Sequence, residues 1–455
     1  MVRRAGRLEE IIDDVPDRGL LGNRRTQHRG APADRSCPVR RRTWENFTFT
    51  STSNPAPRRR PDDPAAVPVA VCECCPPRPI GLLSRGRAVR SSVRAGDRGA
   101  GMIANSLILN AWYAAGLSGQ FPAGELQGRK IGGKPVVMWR AADGRVVAFD
   151  DRCVHKRMPL SAGRLLENGT LECAYHGLCY DTEGACVKIP SQPEGPIPAR
   201  AKLRPYPVIE QDGLVWIWPG NPEKIGNCQP PRTPEIVSDE WDTVSSDTLR
   251  VKANYRLVIE NLLDITHFYP LHDGNIGDEA NSRLPVKFEE KIIDGNHTIK
   301  SIRHAENYTQ PPMMVDWFGL ETVDRDHTHH MMNPGLTRVE IRVAPPGKLG
   351  AGADRGYVLY HTHLPIDREH VEWHWIVNTP GHYRHEGGSR SVAERFSETF
   401  PSVVEEDRWA LEKQQAMFAY DDDGYSEVPL KADKAVMGIR KLFAAMEAEE
   451  AGAGR

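Results

Sequence analysis

From Met102 onward, apolar and polar positions alternate over short runs of the kind that half-bury a strand. Lys134–Arg140 and Arg145–Asp151 are predicted strands, joined by an Asp143-Gly144 turn. Thr170–Glu172, Leu178–Asp181 and Ala185–Ile189 continue the series, with a turn at Thr182-Glu183-Gly184. Gly213–Gly220 (GLVWIWPG) reads as a buried strand closed by Pro219-Gly220. Pro222, Pro230, Pro231 and Pro234 make residues 221–235 a predicted linker. Beyond it the period lengthens: 251–265 reads as a strand running into a helix, and strand-like segments occupy 287–303, 321–332, 337–345, 356–364 and 370–378. Ser389–Tyr420 has helical spacing, as does Lys431–Glu449, whose stripe is Val436, Ile439, Leu442, Phe443 and Met446. There is no internal repeat. The longest apolar run, Ile103–Leu117, is interrupted by Asn105, Ser106 and Asn110 and falls short of the roughly 18 residues a membrane span needs.

Composition changes the picture at the N-terminus. The 455-residue chain has a net charge of −2, but residues 1–101 hold twenty arginines and no lysine against eleven acids, a net +9. The rest holds 39 Lys and Arg against 50 Asp and Glu, a net −11. Eleven prolines also fall in the first segment, and no periodicity persists there. It is expected to be a disordered or mis-started extension, because it cannot bury enough apolar area to offset its ordering entropy. The functional alternatives are a nucleic-acid-binding arm, a transit peptide, against which the eleven acids count, and a metal site at Cys72, Cys74 and Cys75. Folded sequence is expected to begin at Met102.

Five cysteines remain in the body: Cys153, Cys173, Cys179, Cys186 and Cys228. With no secretory leader evident, they read as reduced thiols or metal ligands in a bacterial-type cytoplasm. Four ligand candidates stand out, Cys153 and His155 (C-x-H), then Cys173 and His176 (C-x2-H), seventeen residues apart. A structural zinc site also takes two Cys and two His, but zinc fingers pair Cys with Cys and His with His. Here each loop offers one of each, as a [2Fe–2S] cluster with two thiolates on one iron and two imidazoles on the other requires. With Pro159-Leu-Ser-Ala-Gly163 and Tyr175-His176-Gly177, the segment resembles the Rieske domain over about 120 residues. Cys179 and Cys186 are expected to be core thiols.

A second group follows in Asn261-x2-Asp264-x2-His267-x4-His272. Asp264 and His267, three apart, are expected to share a helix face. Five residues on an ideal helix set His267 and His272 about 140° apart, so Pro270 is expected to break the helix and let both converge. Two histidines and a carboxylate leave open positions on iron for O2 and substrate. The order of motifs resembles the oxygenase component of Rieske non-haem iron oxygenases over about 350 residues. The opening Asn110-Ala-Trp-Tyr113 and the late Glu406-Asp407 resemble the vanillate O-demethylase and phthalate dioxygenase branch.

That resemblance implies an α+β fold: a small all-β Rieske domain (102–225), then a helix-grip catalytic domain of antiparallel sheet plus helices (226–450). It implies one Rieske cluster on Cys153, His155, Cys173 and His176, and one Fe(II) on His267, His272 and Asp407, with Glu405 and Glu406 as rivals in a helix that the acidic run opens. Asp264 is implied to bridge the iron-bound histidine of one subunit and a Rieske histidine of the next in a homotrimer. Asn261 is either near the iron or an ordinary helix-face residue. The implied substrate is aromatic, carboxylated or methoxylated, and is hydroxylated or O-demethylated with O2; phthalate-type ring dioxygenation is the alternative. Gly350, Gly352 and Gly356 read as a hairpin loop, and no flavin or dinucleotide fingerprint is present. A separate NAD(P)H-dependent reductase, with or without a ferredoxin, must therefore supply electrons, and Arg152, Lys156 and Arg157 are candidates for docking an acidic partner. His327, His329, His330, His361, His363 and His374 are expected to be pocket or surface residues, and Met313, Met314, Trp317, Met331 and Met332 core or cavity lining. Nucleic acid and membrane are not expected partners. A Rieske electron carrier without mononuclear iron, and a zinc-stabilised binding protein using the Arg-rich arm, are the rival classes.

Overall fold

Three short sheets precede one long one. The computed structural model describes residues 107–352, 354–381, 391–421 and 425–452; the expectations for residues 1–101 and for Met102 lie outside them. The first part is all-β. Strands β1 (Tyr113–Leu117), β2 (Gln127–Ile131), β3 (Lys134–Arg140), β4 (Val146–Asp150), β5 (Arg164–Leu165), β6 (Leu171–Glu172), β7 (Cys179–Tyr180), β8 (Cys186–Lys188), β9 (Pro205–Tyr206), β10 (Val208–Gln211) and β11 (Leu214–Ile217) make antiparallel sheets β1-β11-β10, β2-β3-β4-β9 and β5-β6-β7-β8. The last sheet carries the cysteine–histidine loops. It rests on a small core of Val137, Trp139, Phe149, Leu160, Leu171, Leu178 and Tyr180.

The second part is built on an eight-stranded antiparallel sheet. Its strands are β12 (Trp241–Ser245), β13 (Leu249–Val251), β14 (Lys287–Ile293), β15 (Asn296–Thr309), β16 (Thr322–Asn333), β17 (Leu336–Ala344), β18 (Arg355–Pro365) and β19 (Val371–Pro380). The order is β12-β19-β18-β17-β16-β15-β14, with β13 also on β19. Helices α1 (Tyr255–Leu263), α2 (Phe268–Leu271), α3 (Glu279–Ser282), α4 (Pro312–Phe318), α5 (Val392–Met417) and α6 (Lys434–Gly452) complete it. This is the α+β arrangement expected. Strands β18 and β19 are buried almost without interruption because both faces are covered. Leu359, Trp373, Trp375 and Val377 meet the helices, while Val358, Tyr360 and Ile376 meet Trp112, Trp216 and Trp218 of the first part. The two parts are tied by Arg129 to Glu372 at 2.6 Å and by the Gly132 N–H to the Pro365 carbonyl at 2.8 Å. Among the described residues no helix is long and apolar enough to cross a membrane.

Three local expectations need correction. Residues 287–303 are not one strand but a hairpin, β14–β15, turning at Asp294 and Gly295 with φ of 48° and 77°. The helix break that orients the histidines lies at Asp264, not at Pro270. Finally, Glu405–Asp407 lies in the middle of α5, whose true start is the Ser391–Glu394 capping box.

Candidate metal centres

The two cysteine–histidine loops share one backbone plan. The Cys153 N–H donates to the Met158 carbonyl at 2.9 Å and the Arg157 N–H to the Cys153 carbonyl at 3.0 Å. In the other loop, Cys173 N–H donates to Leu178 at 2.9 Å and Gly177 N–H to Cys173 at 3.0 Å. The fourth residue after each cysteine is left-handed, Arg157 at φ 60° and Gly177 at φ 68°. Asp151 closes the first loop by accepting from the Ser161 N–H at 2.7 Å and its hydroxyl at 2.5 Å. Both cysteines end up buried, and both histidines exposed, with rings 4.5 Å apart. Soft sulfur donors therefore sit inward and imidazoles at the tip, a donor set that fits a mixed-ligand [2Fe–2S] cluster. Tyr180, whose phenol is pushed up by burial and by neighbouring Cys153, stays protonated 3.1 Å from the Cys153 sulfur. Cys179 and Cys186 are buried and their thiols are pushed up by burial, as expected of core residues.

The second centre is set by a change of backbone direction. Helix α1 ends at Asp264, which is extended (φ −104°, ψ 98°). The Asp264 carboxylate then caps the next turn, accepting from the Thr266 N–H and hydroxyl, both at 2.9 Å. Residues 265–271 form one short helical segment that carries His267 and ends at His272. Pro270 is the third residue of α2 (Phe268–Leu271), within that helix's first turn, where N–H groups have no intrahelical partner, so it does no harm. Asp264 and His267 thus do not share a helix face. Instead His267 Nδ1 donates to the Asp264 carbonyl at 2.5 Å. His272 Nδ1 donates to Glu406 Oε2 at 2.7 Å, and Asn275 Nδ2 holds the other Glu406 oxygen at 3.2 Å.

With both Nδ1 atoms engaged, the two Nε2 lone pairs face Asp407. Oδ1 of Asp407 is 3.5 Å from His267 Nε2 and 3.2 Å from His272 Nε2, and the three ligand atoms lie within 4.8 Å of one another. Lone pairs converging in this way need a cation, which a 2-His-1-carboxylate iron site supplies. Burial pushes the Asp407 carboxyl up, but its bonds to His267 and His272 outweigh that and hold it well below the usual carboxylate range. His272 is pushed down by burial, yet Asp407 and Glu406 raise it above its ordinary value. Asn261 Nδ2 donates to Asp407 Oδ1 at 2.9 Å and lies 3.5 Å from His267 Nε2, so it faces the site. Glu405 turns outward to Arg408. The rivals thus separate by direction: Asp407 faces the histidine pair, Glu406 the back of His272, and Glu405 solvent. Glu406 as the outer partner of His272, and Asn275 and Tyr180, were not anticipated; adjacency to Asp407 is the only signal that could have found Glu406.

A surface cavity of about 580 Å³ reaches the His267 side of this centre, lined among others by Asn261, Asp264, His267, Met417, Tyr420 and Tyr425. The six strand histidines are all buried, none above 7% exposed. Met314, Trp317 and Met331 are core.

Comparison with known proteins follows the same division. Residues 111–207 match the Rieske [2Fe-2S] domain, and residues 251–449 match the vanillate O-demethylase oxygenase C-terminal domain. The iron-sulfur subunit of the toluene-4-sulfonate monooxygenase system of Comamonas testosteroni is 30% identical over 344 residues, 72% of this chain and 93% of that one. The oxygenase component of dicamba O-demethylase of Stenotrophomonas maltophilia is 30% identical over 354 residues, 76% and 99% of the respective chains. Among solved structures, dicamba monooxygenase with non-haem iron and dicamba is similar at a TM-score of 0.62 and 27% identity, covering 76% of this chain and 99% of that one.

Proposed function

Because the chain belongs to the Rieske non-haem iron oxygenases, we propose that it is the terminal oxygenase of a multicomponent system that hydroxylates or O-demethylates an aromatic, methoxylated or carboxylated substrate. Its cofactors are a Rieske [2Fe–2S] cluster and a mononuclear non-haem iron in each subunit. We assign residues 102–225 to the first centre and 226–450 to the second. Cys153, His155, Cys173 and His176 would hold the cluster; His267, His272 and Asp407 would hold the iron. When bound, the cluster passes single electrons and the iron activates O2.

The protein's own side chains do the positioning. The Asp264 carbonyl and the Glu406 carboxylate fix the tautomers of His267 and His272, leaving both Nε2 atoms free to ligate. Asn261 steadies Asp407. The observation that carries the reading is this convergence of two Nε2 atoms and one carboxylate oxygen, with the outer nitrogens already satisfied. On a methoxyarene the balanced outcome is Ar–OCH3 + O2 + 2 e⁻ + 2 H⁺ giving Ar–OH, formaldehyde and water. The electrons come from a separate NAD(P)H-dependent reductase, directly or through a ferredoxin. We further assign a homotrimer, in which Asp264 faces a Rieske histidine of the next subunit. The large exposed side chains of Met417, Tyr420 and Tyr425 beside Asp264 support a covered surface there.

The test is iron and acid-labile sulfide per chain, with electron paramagnetic resonance of the reduced protein. Three irons and two sulfides are expected; two irons alone would reduce the protein to an electron carrier. Formaldehyde release from methoxylated aromatics then separates demethylation from ring attack.

A further inference from the structure

The helix-facing side of the long sheet carries a buried basic patch fixed by strand register. Arg303 on β15 pairs with His327 on β16, and Ser301 pairs with His329. Residues two apart on a strand share a face, so these four side chains form one block. Arg303, His327 and His329 are each no more than 3% exposed.

Arg303 lacks a counter-ion. Its Nη1 donates to Ser301 Oγ at 3.0 Å, while Nε is buried with no partner. Among the described residues no carboxylate lies within ion-pair distance of it and no aromatic ring lies beneath it. The neighbouring Arg325 differs, bonding to Asn281 and stacking 4.1 Å over the Tyr308 ring. The carboxylate whose charge reaches Arg303 is Asp264, and both its oxygens are engaged by Thr266. Leaving an ion buried without a partner is strongly unfavourable. Burial pushes the guanidinium down to about 10, which still leaves it cationic at neutral pH.

The imidazoles add a donor. His327 Nε2 and His329 Nε2 are 2.7 Å apart, and burial pushes both rings well below their ordinary value, so both are neutral. The shared bond uses one N–H. The accepting ring must then carry its proton on Nδ1; both Nδ1 atoms are buried outside good hydrogen-bond geometry, and on His329 a substrate oxygen would compete with the nearby Leu262 carbonyl. The block lies one ring from the metal ligands: Phe268 is 5.1 Å from His267, 6.0 Å from His327 and 6.4 Å from His329.

We propose that Arg303, flanked by His327 and His329, is the subsite that binds the anionic head group of the aromatic substrate and turns the rest of the molecule toward His267, His272 and Asp407. The inference rests on the oxygenase reading. A guanidinium fork matches the two oxygens of a carboxylate, and a sulfonate presents the same edge, so the shared chemistry is an aryl oxyanion.

The test is equilibrium binding of 3-methoxybenzoate, 3-methoxybenzenesulfonate and uncharged 3-methoxybenzamide to the holoenzyme, by calorimetry, for wild type, Arg303→Met and Arg303→Lys. Wild type is expected to prefer at least one anion over the amide. Arg303→Met should weaken that anion about 30-fold or more, the scale of a lost buried charge pair, and leave the amide unchanged; Arg303→Lys should restore part of the loss. An unchanged anion-to-amide ratio in Arg303→Met overturns the subsite. Should that variant not fold, equal affinity of wild type for the anions and the amide overturns it instead. Formaldehyde release from the amide by wild type keeps the two questions apart: with turnover but no anion preference the subsite falls and the oxygenase stands.

Discussion

Removing the Glu406 side chain isolates the outer support of one proposed iron ligand, His272, without touching that residue itself. His272 is fully buried, and its Nδ1 finds its acceptor in Glu406 at 2.7 Å. In Glu406→Ala the ring loses both the bond that fixes its tautomer and the negative charge that raises its basicity. Loss of such an outer partner typically lowers metal affinity about 10–100-fold, or about 1.4–2.8 kcal/mol. The Glu406 side chain is 36% exposed, so water can replace part of the bond, and the lower half of that range is expected. Glu406→Gln keeps an acceptor but not the charge and should fall between wild type and Glu406→Ala. The assay is mononuclear iron retained during dialysis against graded chelator, with the Rieske signal as an internal control. Asp407→Ala, which removes a proposed ligand atom, should lose the mononuclear iron outright. Equal iron retention in Glu406→Ala and wild type would refute the reasoning, as would loss of the cluster signal along with the iron.

Tyr180→Phe should lower the Rieske potential by on the order of 40 mV, measured by redox titration, since one hydrogen bond of about 1 kcal/mol to the Cys153 sulfur is lost. Gly163→Ala should reduce cluster content, measured as acid-labile sulfide, because a Cβ there collides with the Glu172 carbonyl and comes 2.9 Å from that of Leu160, forcing the two loops apart. Asp264→Asn should keep its iron, because the carbonyl that holds His267 remains, yet slow single-turnover oxidation of the cluster. His330, His361 and His363 are pushed down by burial to about 4, 3 and 3. Their unfolded forms take up protons that the folded forms refuse, so stability present above about pH 6.5 should fall toward pH 4, by about 1.4 kcal/mol per pH unit for each, read as Tm against pH.

What could be read from the chain follows physical lines. Strands β3, β4 and β16–β19 were legible because alternating or continuous apolar runs are bounded by turn residues. The β14–β15 hairpin was not, although Asp294-Gly295 is a strong turn pair, because strand-forming residues continue on both sides. The two Cys–His loops were legible because ligand spacing is local in sequence. The second centre was only half so. His267 and His272 are local, but which of Glu405, Glu406 and Asp407 faces them depends on the rotation of α5, and successive helical residues differ by about 100°. The block of Arg303, His327 and His329 depends on register between strands, and a shift of one residue would turn these side chains to the other face.

Asp264 explains why the break had to fall before His267 rather than between the histidines. Had α1 continued through position 264, its carbonyl would have been committed to the helix, and His267 Nδ1 would have lost its acceptor. The extended backbone at Asp264 frees that carbonyl for His267, and its side chain caps the following turn. The same side chain lines the surface cavity. One residue therefore touches the candidate iron ligand through its backbone and borders the surface cavity with its side chain. His267 itself lines that cavity, so Asp264 gives a second route from the surface to the candidate ligand, through the carbonyl that accepts from His267 Nδ1.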